Sequence, residues 1–468
     1  MRALPRAGLP YLSHLGRIFM FKYTVLAAAL AVSFSTPGVA AAASDTELGE
    51  IRDQIRVMKE SYEARLQALE LRLQQAQAVA ANAVGPAAAP APVDARAANP
   101  AAASNIFNPN VALVLGGTMS RLSHSPDDFR LQGFLPSGGE VGPGKRGFSL
   151  GESELTLSAN IDPRFAGQLT FALSGENEAA VEEAFVQTRA LANGVNVRAG
   201  RFLSSVGYLN SQHAHTWDFV DAPLAYQAFF GGQYKADGVQ AKWLAPTDQF
   251  VELGMEVSAG GGFPGNERNK NGVGATSLFA HVGDDIGASS SYRAGVSYLH
   301  TGATERAIDD LSSFSGKSSM WIADAIYKWA PNGNSTVSNF KLQGEYFRNK
   351  ESGSLDVADA GAAAYRSAQS GWYLQGVYQF MPNWRTGLRY DRLSSGRRDL
   401  DGELTLANVP ILDAYAPSRA SLMFDYSPSE FSRLRLQLAR DKTRPGVVDK
   451  QIFLQYIMSL GTHAAHAF

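Results

Sequence analysis

The feature that most constrains this chain is a long series of short runs in which apolar and polar residues alternate. In residues 251–257, Val251, Leu253, Met255 and Val257 alternate with Glu252, Gly254 and Glu256. In residues 384–391, Trp384, Thr386, Leu388 and Tyr390 alternate with Arg385, Gly387, Arg389 and Asp391. Ile452, Leu454, Tyr456, Met458 and Leu460 close the series. A period of two is the mark of a strand with unlike faces. About sixteen such strands are read, near 110–120, 147–161, 167–174, 181–192, 195–202, 238–245, 249–258, 276–283, 290–300, 319–329, 338–348, 371–380, 383–392, 418–427, 431–441 and 450–461. Lengths near ten suit a tilted transmembrane strand.

Soluble sandwiches also alternate, so three further features carry the decision. Short turns such as Asp162-Pro163, Asn193-Gly194, Asn332-Gly333 and Pro382-Asn383 alternate with longer connections rich in Gly, Ser and Asp. Aromatics gather towards strand ends, among them Trp243, Trp321, Trp329, Trp372, Tyr378 and Trp384. The chain ends on Phe468 after a final alternating strand, an end that barrel-assembly machinery reads. Short turns, long loops and aromatic girdles describe an outer-membrane barrel. Lipid offers no partner to backbone N–H and C=O, so the strands must close. Sixteen strands leave an aqueous channel rather than a packed centre. The fold class read here is all-β: a transmembrane antiparallel β-barrel of about 16 strands over residues 106–468, preceded by a short α-helical coiled coil.

The N-terminus reads as an address. Arg17 and Lys22 precede an apolar stretch from Tyr23 to Phe34, followed by Pro37, Gly38 and a run of alanines. Residues 1–43 are read as a signal peptide, with Met1 and Met20 both open as the start. From Leu48 the apolar positions Ile51, Ile55, Met58, Tyr62, Leu66, Leu69 and Leu73 follow heptad spacing with one stutter. Residues 44–80 are therefore expected to form a periplasmic coiled coil that self-associates, with a weak lean to trimers. Residues 81–105, rich in Ala and Pro, read as a linker. The absence of cysteine excludes disulfides and thiolate metal sites. A net charge of -2 argues against a nucleic-acid partner. No cofactor is expected.

Several segments carry a resemblance together: Gly147-Phe148-Ser149-Leu150-Gly151-Glu152-Ser153-Glu154, Glu182-Glu183-Ala184-Phe185-Val186-Gln187-Thr188, Ala199-Gly200-Arg201-Phe202, His213-Ala214-His215-Thr216-Trp217-Asp218-Phe219-Val220-Asp221-Ala222-Pro223, and the tail from Gln451 to Gly461. The set resembles the phosphate-selective porin O/P-like superfamily of proteobacterial outer membranes, and looks most like its branch with an N-terminal coiled coil. The resemblance implies a sixteen-stranded, usually trimeric barrel in the bacterial outer membrane that passes small hydrophilic solutes, with anions such as phosphate as candidates. The chain lacks an obvious equivalent of the dense arginine ladder and lysine cluster of phosphate-selective members, which leaves the solute open.

Alternation places Arg198, Lys242, Arg293, Arg385, Arg389, Arg433, Arg435, Glu152, Glu154 and Glu183 towards the lumen. Acidic residues dominate the early strands and arginines the late ones, so two walls of opposite charge are expected to face each other. Residues 203–236 are unusually aromatic and apolar for an outer loop, and such a loop would be a poor exposed surface. The loop is expected to fold into the lumen as a constriction carrying Tyr208, His213, His215, Trp217, Asp218 and Asp221. His213 and His215, two apart, are candidate metal ligands at low specificity. The expected partners are outer-membrane lipid, two further copies of the chain, the barrel-assembly machinery through Phe468, and peptidoglycan near the coiled coil. The alternatives are a structural or metal-responsive outer-membrane protein and a barrel enzyme. No G-x-S-x-G or H-E-x-x-H motif supports an enzyme. Pore diameter and gating are not legible.

Overall fold

The computed structural model describes residues 109–461, apart from 139–140, 152, 174–177, 190, 267–268, 311, 359 and 403. The signal peptide, coiled coil and linker expected over 1–105, with Glu152 and Phe468, lie outside the described residues.

The strands are β1 (Asn110–Leu122), β2 (Gly147–Leu150), β3 (Ser153–Asn160), β4 (Phe165–Leu173), β5 (Ala179–Thr188), β6 (Val195–Leu203), β7 (Lys235–Leu244), β8 (Phe250–Ser258), β9 (Ala275–Ile286), β10 (Ser290–Ala307), β11 (Ser313–Trp329), β12 (Asn339–Val357), β13 (Gly361–Met381), β14 (Trp384–Gly402), β15 (Ser418–Ser429), β16 (Ser432–Lys442) and β17 (Asp449–Gly461). One α-helix, α1 (Leu224–Phe230), follows β6. β2 and β3 both pair with β1 and form two halves of one wall strand, so the barrel has sixteen. Counting β2 and β3 as one, each wall strand pairs antiparallel with its neighbours in sequence, and β1 pairs with β17 from Ala112↔Gly461 to Leu122↔Gln451. That last ladder closes the sheet and leaves no edge. Each expected run corresponds to one wall strand.

The turn chemistry reads directly. Asn193-Gly194 and Asn332-Gly333 have positive φ at both residues (63° and 75°; 50° and 75°). Each pair sits in a short connection that reverses the chain, and Asn and Gly tolerate this left-handed backbone best.

The faces are inverted relative to a soluble protein. Leu253, Met255, Leu374, Leu388, Leu436, Leu454 and Met458 are exposed on the outside, while Gln343, Glu345, Asp391, Asp425, Arg435 and Gln437 are buried inside. On β11 the outward residues between Trp321 and Trp329 are Ala323, Ala325 and Tyr327, whereas beyond Trp321 they become Ser319 and Lys317. On β13 the outward stretch from Trp372 to Phe380 gives way to Ser370 and Arg366. Eight residues at ~3.3 Å rise span about 26 Å along the strand, or about 20 Å after a ~40° tilt, the bulk of the apolar band about 25 Å tall that barrels present to lipid. Aromatic pairs mark the two borders, Tyr298–Trp321 and Trp372–Tyr390 at one, Trp384–Tyr426 at the other.

Two features differ from expectation. Strands β10 to β14 are 17 to 21 residues long rather than near ten. At the end away from the short turns, aromatics such as Trp321 and Trp372 therefore stand at the border of the apolar belt rather than at the strand end, and the extra length continues with polar outward residues, whereas Trp329 and Trp384 do stand at strand ends. Above the belt, Leu135, Phe314, Leu355, Tyr365, Val409 and Leu412 form a small apolar cluster that joins the long strands to two connections. Second, the interior is not wholly aqueous: Leu299, Met320, Ile322, Phe347, Tyr373 and Leu393 point inward and pack with residues of the connection after β6.

Candidate functional site

The connection between β6 and β7 crosses the barrel interior. Its apolar half packs Val206, Leu209, Leu224, Tyr226, Phe229 and Phe230 against the inward faces of β10 to β14. Tyr226 and Phe347 meet edge to face at 5.2 Å between ring centroids, a favoured aromatic geometry. α1 ends at Gly231, whose φ of 66° terminates the helix.

Polar anchors fix both approaches. Where the loop leaves β6, Ser204 and Ser205 donate to Glu256 of β8 at 2.5 and 2.9 Å. Next, Tyr208 N–H and Leu209 N–H donate to Glu345 of β12 at 3.1 and 3.0 Å, and the Tyr226 and Tyr373 hydroxyls donate to the same carboxylate at 3.0 and 2.7 Å. The chain comes closest to the wall at Gly207, with φ 70°, where a Cβ would overlap the Glu345 carboxylate. Only glycine fits that approach.

The middle of the loop is stitched by charge. Asp218 pairs with Lys341 at 2.6 Å and Arg385 at 3.3 Å. Asp221 pairs with Arg389 at 2.7 Å and Arg419 at 2.6 Å, and accepts from Gln437 at 2.9 Å. Burial alone would raise both carboxyls, but Lys341 and Arg385 beside Asp218, and Arg419 and Arg389 beside Asp221, hold both below the ordinary carboxylate range. Backbone carbonyls join in: Arg435 donates to Trp217 O at 2.6 Å, Arg433 to His215 O at 3.4 Å, and Arg419 to Ala222 O at 2.6 Å. Trp217 Nε1–H donates to Gln212 O at 3.0 Å.

On the opposite wall the loop's histidines meet glutamates. His213 Nδ1 lies 3.0 Å from Glu154 and 3.1 Å from Glu182, its Nε2 lies 3.1 Å from Glu183, and His215 Nδ1 lies 2.8 Å from Glu154. Burial works against charge on His213, but the hydrogen bonds of Glu154, Glu182 and Glu183 lift it well above the ordinary imidazole value. Two consecutive glutamates reach one face because β5 bulges: Glu183 pairs with Thr170 and Val181 with Phe171, leaving Glu182 as the extra residue. The acidic and basic walls are thus bridged by a loop carrying the complementary charge on each side.

The remaining candidates lie on the inner wall with partners. Arg198 stacks over Phe185 at 4.1 Å and donates to Gln187. Lys242 is 3.7 Å from Glu252. Arg293 pairs with Asp324 at 3.4 Å and covers the Tyr208 ring. Arg385, Arg433 and Arg435 gather around Asp425, and Arg389 also holds Asp391 at 3.0 Å. Arg389 and Arg435 are 1% exposed and lie beneath the loop, so they present little charge to open water. Sequence reasoning did not single out Glu182, Arg419, Asp391 or Asp425. Alternation signals the last three as inward, whereas nothing short of the bulge signals Glu182.

Two cavities flank the loop. One, about 570 Å³, is lined by Ser149, Glu182, His215, Asp221, Lys235 and Gln455, among others. The other, about 520 Å³, opens towards the short turns and is lined by Ser335, Gln379, Asn383, Arg385, Arg433 and His215, among others. His215 and Ile457 border both, so the two cavities lie on either side of the contact between the loop and β17.

No family model matches the chain. Among solved structures it is similar to a loop-deleted OmpT, an outer membrane protein of Vibrio cholerae, with a TM-score of 0.48 and 11% identity over 75% of this chain and 99% of that one. The outer membrane channel DcaP of Acinetobacter baumannii gives 0.46 and 12% over 75% and 97%. An anion-selective porin from Comamonas acidovorans gives 0.46 and 12% over 75% and 99%. Likenesses this shallow carry no argument about function. An uncharacterized protein of Aquifex aeolicus (strain VF5) is 32% identical over 349 residues, covering 69% of this chain and 71% of the relative. At that identity and coverage, the chain belongs to the same family as the Aquifex aeolicus protein.

Proposed function

We propose that the protein is an outer-membrane porin: a water-filled channel for passive diffusion of small hydrophilic solutes, of the porin O/P-like kind, with an N-terminal coiled coil in the periplasm and three copies per assembly. The observation that carries this reading is the apolar belt bounded by aromatic borders outside a polar interior. A folded chain presenting that belt to water would be insoluble, whereas lipid of matching thickness satisfies it. The two cavities on either side of His215 are the spaces from which the aqueous path is built. Leu388 stands opposite Gly376 near mid-belt. Leu388→Arg should weaken folding into lipid vesicles by about 2–4 kcal/mol, read from a urea titration, because a lipid-facing cation at the midplane has no water. An unchanged midpoint would mean that this face does not meet hydrocarbon.

Planar-bilayer recording tests the channel itself. Stepwise ohmic openings are expected from the folded protein; a folded barrel that inserts and passes no current would end the porin reading. The charges bordering the two cavities are mixed, with Glu182, Asp221 and Glu430 against Lys235, Arg385 and Arg433. Selectivity should therefore be weak. In a tenfold KCl gradient the reversal potential should fall well short of the ~59 mV of an ideally selective channel. A value near that limit, of the sign for chloride, would point instead to an anion track along the arginine wall.

A further inference from the structure

We propose that Glu154, Glu182, His213 and His215 form a binding site for a divalent ion of the zinc class, which ties the constriction loop to the acidic wall. The ligand atoms of Glu154, His213 and His215 all lie within 4.8 Å of one another. Glu182 stands outside that mutual set and borders it through the β5 bulge, with its carboxylate 3.1 Å from His213 Nδ1, so it is the fourth ligand that has to swing in. Two features distinguish the cluster from an ordinary hydrogen-bonded group.

First, two carboxylates compete for one side of His213. Glu154 Oε2 and Glu182 Oε2 both face His213 Nδ1, at 3.0 and 3.1 Å. A ring nitrogen carries at most one proton, so two carboxylates share one donor. A dication in place of that proton meets both. With both imidazoles neutral, three carboxylates against Lys235, 3.2 Å from Glu182, and one dication sum to zero charge.

Second, the spare nitrogen is already oriented. His213 Nε2 is 3.1 Å from Glu183 Oε2. A metal-bound histidine commonly donates its other N–H to a carboxylate, which fixes the ring and strengthens the ligand. Glu183 fills that role while Nδ1 faces the ion.

The donors are gathered within reach of one ion. Tetrahedral zinc with bonds of ~2.0–2.1 Å holds its ligand atoms ~3.4 Å apart. Glu154, His213 and His215 offer donors within 4.8 Å of one another, and Glu182 touches His213 at 3.1 Å, so the side chains adjust their rotamers to close around the ion. Two nitrogens and two carboxylate oxygens suit a borderline ion such as zinc, nickel or copper rather than magnesium or calcium. His215 borders both cavities and Glu182 one of them, so the site is reached from the lumen. Two ligands come from the wall and two from the loop, and occupancy therefore fastens the loop at its histidine end. The site rests on this geometry and not on the channel reading.

The test is zinc binding by the full chain in detergent micelles, measured by equilibrium dialysis with ZnCl2, with folding followed by gel mobility of the unheated barrel. One saturable zinc per chain is expected, undisturbed by excess MgCl2. The His213→Ala/His215→Ala variant should lose affinity by more than tenfold, and so should Glu182→Gln, which keeps the shape of the side chain and serves if the double variant does not fold. The tail histidines are the rival ligands, so His463→Ala/His466→Ala should bind as the parent does. No saturable zinc on the folded parent, equal affinity in Glu182→Gln, or loss of binding with the tail histidines would each overturn the site.

Discussion

Replacing Asp218 and Asp221 together by alanine is expected to free the loop while leaving the barrel closed. The sixteen-stranded ladder does not pass through these residues, so the folded barrel should still resist heat on a gel. The loop, however, loses its grip on the arginine wall. Arg389 and Arg419 are each 1% exposed, and removing the partner of a buried charge typically costs about 3–5 kcal/mol, because the remaining charge has no water. Part of that loss is recovered where a second carboxylate stands ready: Asp391 is 3.0 Å from Arg389 and 3.9 Å from Arg419. Lys341 and Arg385 lose Asp218 in the same way, and Arg385 keeps Asp425. Three readouts should move together: higher and noisier single-channel conductance, new protease sensitivity within 204–234, and a lower urea midpoint. Unchanged conductance with an unchanged protease pattern would show that charge does not hold the loop.

The same pairs set an acid limit. Both carboxyls are depressed in the folded protein relative to the usual value of ~3.9. A depressed carboxyl contributes stability that is present above the unfolded value and lost only as pH falls through the lower folded one. The clasp should therefore persist from pH 7 to pH 5, and should loosen only below the ordinary carboxylate range.

How much of this was legible follows from the range of the signals. Strand positions were readable because alternation and turn residues are local: Asn193-Gly194 and Asn332-Gly333 mark reversals by their own backbone preferences. The loop's burial was readable from its composition, since Tyr226, Phe229 and Phe230 have no use on an outer surface. The inward apolar sector was not. On β11, Met320 and Ile322 face in while Trp321 and Ala323 face out, so both faces are apolar and the period is lost. The true length of β10 to β14 was hidden for the opposite reason: beyond Trp372 and Tyr346 the outward face turns polar or small and only scattered inward residues such as Leu355 and Tyr365 stay apolar, so the alternation fades although the ladder continues. Charge segregation between early and late strands was visible, but the pairing of Asp221 with Arg419, nearly two hundred residues apart, is a property of closure alone.

The other end of the loop depends on one buried carboxylate, and Glu345→Ala is expected to release it. Glu345 is 3% exposed and accepts from two backbone N–H groups and two phenols. Alanine leaves four donors without an acceptor. The hydroxyls of Tyr226 and Tyr373 can turn into the vacated space, but the N–H groups of Tyr208 and Leu209 are fixed by the Gly207 approach. Two orphaned donors at about 1–3 kcal/mol each place the loss at about 2–6 kcal/mol. Glu345→Gln keeps one acceptor oxygen and the side-chain shape, while its amide sets a donor against the donors already present; its loss should fall between parent and alanine. A urea titration in vesicles separates the three proteins, and protease cleavage near Tyr208 locates the released end. If alanine and glutamine were equally stable and equally resistant, the four hydrogen bonds would be dispensable and the apolar packing of Tyr226 and Phe229 would hold the loop by itself.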